Sequence, residues 1–343
     1  MVMSLQEISF MSHHAKFILV LLMLAGFSFV FPVSHLVYAH TFSTSESAEF
    51  LSLTDQIRAE TALVTMNLEN NNATLAQAHA EKASSLLDND TLGEIRERND
   101  RIANSLETGL EQLVGNVTSL ASASSGQVPQ DGIHSINQTV MLLNDIMAEA
   151  VTARVESEQQ NNATTWAMVV ADLVNAVLSD YGNATGSSFD LTDMTNMAAA
   201  NTTTTSPPTS NMTTTTATIV DTAAYQSAQY LVNNTIFQLF NDTLKPLTIS
   251  SSGTSSNNNI TTMTQEDQGT SPATGNMTSS NIDKLEAALM QLKDDINSKA
   301  TPNEVMITAH LNISPLLMQI YGLTVEQEGG EEEQQHSDNG EGH

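Results

Sequence analysis

The sequence predicts an all-α protein built from antiparallel helical hairpins that pack as a bundle. Apolar residues recur every three or four positions over most of the chain beyond residue 40, which is the period of an amphipathic helix. No segment shows a strand pattern of comparable strength, and aromatic residues make up only 5% of the chain, a low share for a β protein.

Residues 1–39 have the pattern of a secretory signal peptide. A polar, positively charged start precedes the apolar run Phe17–Val33, and a short stretch then ends in Val37-Tyr38-Ala39, which suits cleavage after Ala39. The alternative is an uncleaved anchor, because an apolar run of about 17 residues approaches the length of a membrane span. Either interpretation predicts an extracytoplasmic protein, secreted or associated with the cell surface, that meets the membrane only through an uncleaved N-terminal segment, if at all.

The segment 40–182 is predicted to form a helical bundle domain. Its later helices are marked by three apolar stripes, which run from Ile95 to Val117, from Ile133 to Ala150 and from Trp166 to Tyr181. Thr91 and Glu94 have the spacing of a capping box at the start of the first of these helices. Gly182 is predicted to end the last one, since glycine is the usual residue just past a helix C-terminus.

Two further helical segments follow. Residues 219–249 form one helix, which the proline of Lys245-Pro246 is expected to end. Residues 281–323 form a hairpin, in which Thr301-Pro302-Asn303-Glu304 supplies a cap, a first-turn proline and the acid of a capping box for the second helix.

Three segments are predicted to be disordered. Residues 183–218 and 250–280 are linkers rich in Ser, Thr, Asn and Pro, and residues 324–343 form an acidic tail. Such compositions offer too little apolar surface to offset the entropy of ordering the chain.

Charge and cysteine content exclude several classes of function. The net charge of −28 argues against nucleic-acid binding, because phosphates would be repelled. The chain has no cysteine, which excludes disulfides, iron–sulfur clusters and thiolate zinc sites.

The chain carries thirteen Asn-X-Ser/Thr sequons, which predict N-glycosylation at exposed positions of an exported chain. The alternative is that they arise from an Asn- and Thr-rich composition. The sequons begin at Asn72, Asn89, Asn116, Asn137, Asn162, Asn183, Asn201, Asn211, Asn233, Asn241, Asn259, Asn276 and Asn312.

A weak internal repeat contains the candidate metal ligands. The segments beginning at Asn72 and Asn303 share the Asn, an Ala-His pair ending in His79 or His310, and a Leu seven residues later. Glu60 lies on the apolar stripe of the preceding helix, where a carboxylate is costly unless it is paired or bound to a metal. Imidazoles and carboxylates from facing helices form metal sites in helical bundles, so Glu60, His79 and His310 are candidate ligands of iron or copper. The alternative is two hydrogen-bonded histidines at helix interfaces and a glutamate that reaches solvent.

His40 is a separate candidate. Cleavage after Ala39 would make it the N-terminal residue, whose amine and imidazole could chelate copper. The position is equally explained as whatever residue follows the cleavage site.

One family resemblance involves the ends of two helices. The chain resembles the extracytoplasmic helical domains that accompany iron-permease systems. The resemblance lies in the repeated amphipathic hairpins and in two helix ends, Leu-Val-Asn-Ala-Val-Leu-Ser-Asp-Tyr-Gly at 173–182 and Ile320-Tyr321-Gly322. The acidic motif and spanning helices of the permease itself are missing. The resemblance therefore implies at most an accessory role in metal binding.

The sequence favours binding over catalysis. Phosphate-binding loops, dinucleotide-binding loops, nucleophile elbows and zinc-protease motifs are all missing from it. The first interpretation is an exported, glycosylated helical protein that binds an envelope or cell-surface protein. The second is an extracytoplasmic metal-binding accessory protein.

Overall fold

The computed structural model describes residues 43–123, 127–187, 216–252 and 279–323. These residues are almost entirely helical and include no strand, so the predicted all-α fold is confirmed. The predicted signal peptide, His40, the acidic tail and most of both linkers lie outside the described residues.

The first hairpin consists of α1 (Thr44–Glu69) and α2 (Ala73–Leu86). Ser43 and Glu46 form a capping box at the start of α1. The turn places Asn71 at a φ of 60°, a conformation that asparagine tolerates better than most residues. The side chain of Asn72 then caps α2 by accepting a hydrogen bond from the Leu75 amide.

The second pair of helices is α3 (Asn89–Ala123) and α4 (Gln130–Arg154). The predicted Thr91–Glu94 capping box is wrong. Asp88 caps α3 instead, because its carboxylate accepts from the Thr91 amide at 2.7 Å, which puts Thr91 inside the first turn. Glu94 is then free to bind Arg154 on α4.

A four-residue turn, α5 (Ser157–Gln160), leads into α6 (Ala163–Thr185). The predicted end of this helix at Gly182 is wrong. Gly182 is buried within α6, and Gly186 is the residue that adopts the left-handed conformation, with a φ of 67°. The first three residues of the predicted linker 183–218 are therefore helical.

The next element, α7, spans residues 222–252. Its α-helical segments Thr222–Tyr230, Phe237–Leu239 and Lys245–Ser252 are separated by π-helical turns at Leu231–Ile236 and Phe240–Leu244. The prediction that Pro246 ends the helix is wrong. Proline lacks the backbone donor of a regular α-helix and clashes with the carbonyl four residues earlier. Here a wider π-helical turn lies just before Lys245, and the helix continues through Pro246.

The second hairpin consists of α8 (Ser279–Asn297) and α9 (residues 302–321). The capping box of Thr301 and Glu304 is confirmed, with Pro302 in the first turn. α9 contains a π-helical turn, Thr308–Ile313, and ends at Gly322, whose φ is 67°.

One contiguous hydrophobic core joins the long helices, and the described residues belong to one compact unit. α6 lies at its centre, because it contacts α1, α7 and α9. Tyr181 and Tyr225 tie this centre to the second hairpin by donating hydrogen bonds to the carbonyls of Ala300 and Ile296. Among the helices described, none combines the length and hydropathy that a membrane span requires.

Candidate functional site

Glu60 and His79 meet between α1 and α2 in the protein interior. Glu60 is 1% exposed and His79 is fully buried, and the Nδ1 atom of His79 lies 2.7 Å from Oε2 of Glu60. The structure therefore brings two of the three candidate ligands into contact with each other.

The other ring nitrogen of His79 is also engaged. Nε2 lies 2.9 Å from Oε1 of Gln226 on α7. The amide of Asn67 donates both to the carbonyl of Leu63 and to this same Oε1, which fixes the Gln226 atom as an oxygen. Nε2 must then donate. Nδ1 faces a carboxylate oxygen, so both ring nitrogens are engaged by oxygen atoms of neighbouring side chains.

Lys82 and Asp180 complete what we call the buried charge cluster, which consists of Glu60, His79, Lys82, Asp180 and the Gln226 side chain. Nζ of Lys82, one turn beyond His79 on α2, lies 2.9 Å from Glu60 and 2.6 Å from Asp180 on α6. The cluster thus joins α1, α2, α6 and α7. Two acidic side chains thus face a lysine and a histidine, so each buried carboxylate has a hydrogen-bonding partner.

The pKa values follow from this pairing. Burial acts to raise the pKa of Glu60, but the hydrogen bond from His79 and the charge of Lys82 outweigh it and lower that pKa. Burial acts to lower the pKa of Lys82, but Asp180 and Glu60 outweigh it and raise that pKa. For Asp180, burial dominates over the opposing effect of Lys82 and raises the pKa to about 6.

The cluster reaches solvent on one side. Lys82 and Asp180 line an open cleft of about 620 Å³ together with Asn183 and Asp221. Their side chains are 29% and 10% exposed, respectively, whereas Glu60 and His79 lie behind them. Only the outer pair of charges is therefore within reach of a ligand.

His310 does not join this group. It is half-buried in the π-helical turn of α9, and no described residue forms a hydrogen bond with its ring. Burial lowers the pKa of His310. No group of three His, Asp or Glu side chains within the described ranges is arranged to hold a metal ion. Of the three candidate metal ligands, Glu60 and His79 therefore meet, with both ring nitrogens of His79 already engaged in hydrogen bonds, and His310 lies apart from them.

The sequence-based analysis missed Lys82, Asp180 and Gln226. Asp180 had a usable signal, because it lies three residues after Val177 and seven after Leu173 on the apolar stripe of α6. A carboxylate at such a position requires a partner, as was argued for Glu60. Its partner on α2 could not be read from the sequence.

A second cleft, the aromatic cleft, lies between α1, α6 and α7 and has a volume of about 360 Å³. Trp166 and Tyr230 provide its aromatic surface, and Ala59 and Leu239 are buried beneath it. The remaining lining is polar and comes chiefly from Asp55, Arg58, Asn234, Gln238 and Asp242.

A third cleft, of about 450 Å³, is strongly acidic. Arg154 lies at its inner side, with its guanidinium 4.3 Å from the centre of the Phe50 ring. Burial and the nearby charge of Glu49 raise the pKa of Asp172 in this cleft to about 6. The carboxylates that line it are Glu46, Glu49, Asp88, Asp90, Glu94 and Asp172.

Comparisons with known proteins add no assignment: no family model, no curated protein and no solved structure matches this chain.

Proposed function

We propose that this protein is exported and glycosylated, and that it acts at the cell surface by binding rather than by catalysis. The main support for the binding role is that the ionisable side chains in the core bind one another across helices. Glu60 and His79 satisfy each other and Gln226, so they join three helices and do not face a substrate. What the described surface offers to other molecules is open clefts lined by amides, carboxylates and aromatic rings.

The positions of the sequons support the glycosylation part of the proposal. Asn201, Asn211, Asn259 and Asn276 lie outside the described residues, and none of the other nine sequon asparagines is buried. Bulky glycans require such positions. The five fully exposed asparagines are Asn89, Asn116, Asn183, Asn241 and Asn312.

The other four asparagines are half-buried and engaged in the fold. Asn72 and Asn162 cap helices through their side chains. Asn233 exchanges two amide hydrogen bonds with Asn297 on α8. The side-chain oxygen of Asn137 is buried. We therefore expect glycans first at the five exposed positions.

The test is peptide mapping by mass spectrometry of the chain purified from its own cells without chelators. We expect a mature N-terminus at His40, or an intact Met1 if the segment is an anchor, and glycans at Asn116 and the other exposed sequons. Asn116→Gln should remove one glycan mass, whereas Asn104→Gln, at an exposed non-sequon asparagine of the same helix, should remove none. An intracellular chain without glycans would overturn the proposal.

Metal analysis of the same preparation tests the alternative, a metal-binding accessory protein. Iron or copper in stoichiometric amount, lost in the His79→Ala variant, would favour a metal-binding accessory protein. The geometry argues for the opposite result, because a metal would have to displace a hydrogen bond from each atom it used on His79.

A further inference from the structure

The aromatic cleft contains the only tryptophan of the chain. Trp166 is half-buried, and its Nε1 donates to the backbone carbonyl of Gln160 at 2.7 Å. That bond uses the single polar atom of the indole and fixes the ring. Trp166 therefore provides the cleft with an aromatic face of fixed orientation and with no further hydrogen-bond donor.

Tyr230 offers both a ring and a hydroxyl group. Its side chain is half-buried, and its hydroxyl forms no hydrogen bond with any described residue. A tyrosine in this position can contribute an aromatic surface and still donate or accept one hydrogen bond with a bound molecule.

The polar lining combines donors and acceptors with little net charge. Nη1 of Arg58 binds Oδ1 of Asp55 at 3.1 Å, a single contact that leaves further guanidinium donors and the second carboxylate oxygen for a ligand. Asn234 and Asp242 add an amide and a carboxylate from α7, and both are exposed. Planar groups of both hydrogen-bonding types thus surround the aromatic surface.

The backbone of this lining is unusual. Asn234 and Asp242 belong to the two π-helical turns of α7, which change the direction of their side chains relative to a regular helix. Such turns are rare and occur frequently at functional sites.

We propose that the aromatic cleft is a saccharide-binding site. The apolar C–H face of a sugar ring would pack on Trp166 and Tyr230, while its hydroxyl groups exchange hydrogen bonds with Asp55, Arg58 and Asn234. Two neutral sugar rings suit the volume of about 360 Å³, and the mixture of donors and acceptors suits an uncharged polyhydroxylated ligand better than an ion. The inference gives a ligand class to the binding role proposed above and rests on it to that extent.

The sole tryptophan makes the test direct, because any change in tryptophan emission comes from the cleft. Maltotriose, cellotriose, mannotriose and diacetylchitobiose are titrated into the chain produced without glycosylation, and calorimetry confirms each response. We expect at least one sugar to shift the emission and bind with a Kd of about 1 mM or tighter. Choline is titrated in parallel, because an aromatic surface beside carboxylates could instead hold a quaternary ammonium.

The variants separate the cleft from the general surface. Arg58→Ala should weaken sugar binding about tenfold, a loss equal to one good hydrogen bond to a charged group. Arg96→Ala should not, although Arg96 also pairs with acids on a helix surface and is 43% exposed against 37% for Arg58. Tyr230→Phe should weaken binding while thermal unfolding stays unchanged.

A response to choline alone, no response to any sugar, or equal effects of Arg58→Ala and Arg96→Ala would each overturn the saccharide assignment. None of these results would change which asparagines are found to carry glycans. Conversely, finding no glycans on the native chain would not affect the sugar titrations, which use the unglycosylated chain. The two proposals can therefore fail separately.

Discussion

The two helical hairpins α1–α2 and α8–α9 share a sequence similarity but have different interiors. In the first hairpin, Glu60 on one helix meets His79 on the other inside the buried charge cluster. In the second, Asp295 on α8 accepts a hydrogen bond from Thr308 on α9 at 2.6 Å. His310, the counterpart of His79 in the sequence repeat, forms no such contact with the described residues.

The helix caps explain the difference. His79 lies seven residues after its N-cap, Asn72, whereas His310 lies nine residues after its N-cap, Thr301. Two residues rotate a side chain by about 200° around a helix, so the two histidines cannot occupy equivalent faces. The residue seven positions after Thr301 is Thr308, and it is buried as His79 is.

In these two hairpins, the distance of a residue from the helix N-cap decides whether its side chain enters the core, and local sequence identity does not. The two hairpins also differ in how they accommodate a buried acid. The first hairpin pairs its acid with a histidine and a lysine of its own second helix, and these two bases take further partners, Asp180 and Gln226, from two more helices. The second uses hydrogen bonds within the hairpin itself, from Thr308 and Gln291.

The largest effect expected from this comparison concerns the two histidines. His79→Ala should reduce the free energy of unfolding by about 3–5 kcal/mol, because it leaves the buried carboxylate of Glu60 without one of its partners. His310→Ala should reduce it by no more than about 1 kcal/mol, as for a half-buried residue without a network. Urea unfolding followed by circular dichroism measures both values.

A control addresses the volume lost at position 79. His79→Gln keeps a donor of similar size and should recover part of the loss, whereas His79→Leu should not, although it fills the space. Equal losses for His79→Ala and His310→Ala would show that the charge cluster contributes nothing beyond packing.

The next effect is a pH dependence that belongs to the first hairpin and its neighbour α6. Asp180 has a pKa of about 6 in the fold, against an ordinary value of 3.8, so the folded chain binds its proton more tightly than the unfolded chain does. Stability should therefore fall as pH rises from about 4 to 6, by about 2 kcal/mol from this group. Glu60 acts oppositely, because its lowered pKa gives stability that is lost as pH falls through that pKa.

The measurement is unfolding free energy at closely spaced pH values. Asp180→Asn should flatten the decrease between pH 4 and pH 6, while Asp145→Asn, at an exposed position of α4, should leave the curve unchanged. A curve that rises through this window in the natural chain and is not altered by Asp180→Asn would contradict the assignment.

The sequence contained enough information to predict the fold class, because helical periodicity is local. It also contained the Thr301–Glu304 capping box and the glycine after α9, since both depend on residues a few positions apart. Two of the five members of the charge cluster, Glu60 and His79, followed from their positions on or beside apolar stripes. The partners Lys82 and Asp180 did not, because their meeting depends on how α2 packs against α6, which no local pattern specifies.

The π-helical turns of α7 were not predicted from the sequence either. One helix was predicted over 219–249 from apolar residues spaced three and four positions apart, and such a spacing does not distinguish a regular α-helix from one that contains π-helical turns. The aromatic cleft depends on these turns and on the position of Trp166 in another helix. Its residues consequently had no shared sequence signal, and the sequence-based analysis could not predict that cleft.

The smallest effect tests the hydrogen-bonded interior of the second hairpin. Thr308→Val keeps the side-chain shape and removes the donor to Asp295, which retains its hydrogen bond from Gln291. We expect a loss of about 1–2 kcal/mol in unfolding free energy, because one hydrogen bond to a buried acid is lost while the acid keeps another partner. Thr152→Val, where the hydroxyl only returns to its own helix at an exposed position, should cost less than about 0.5 kcal/mol. A Thr308→Val loss as large as that of His79→Ala would contradict the distinction between the two hairpins, because the second hairpin would then depend on one hydrogen bond as strongly as the first depends on its charge cluster.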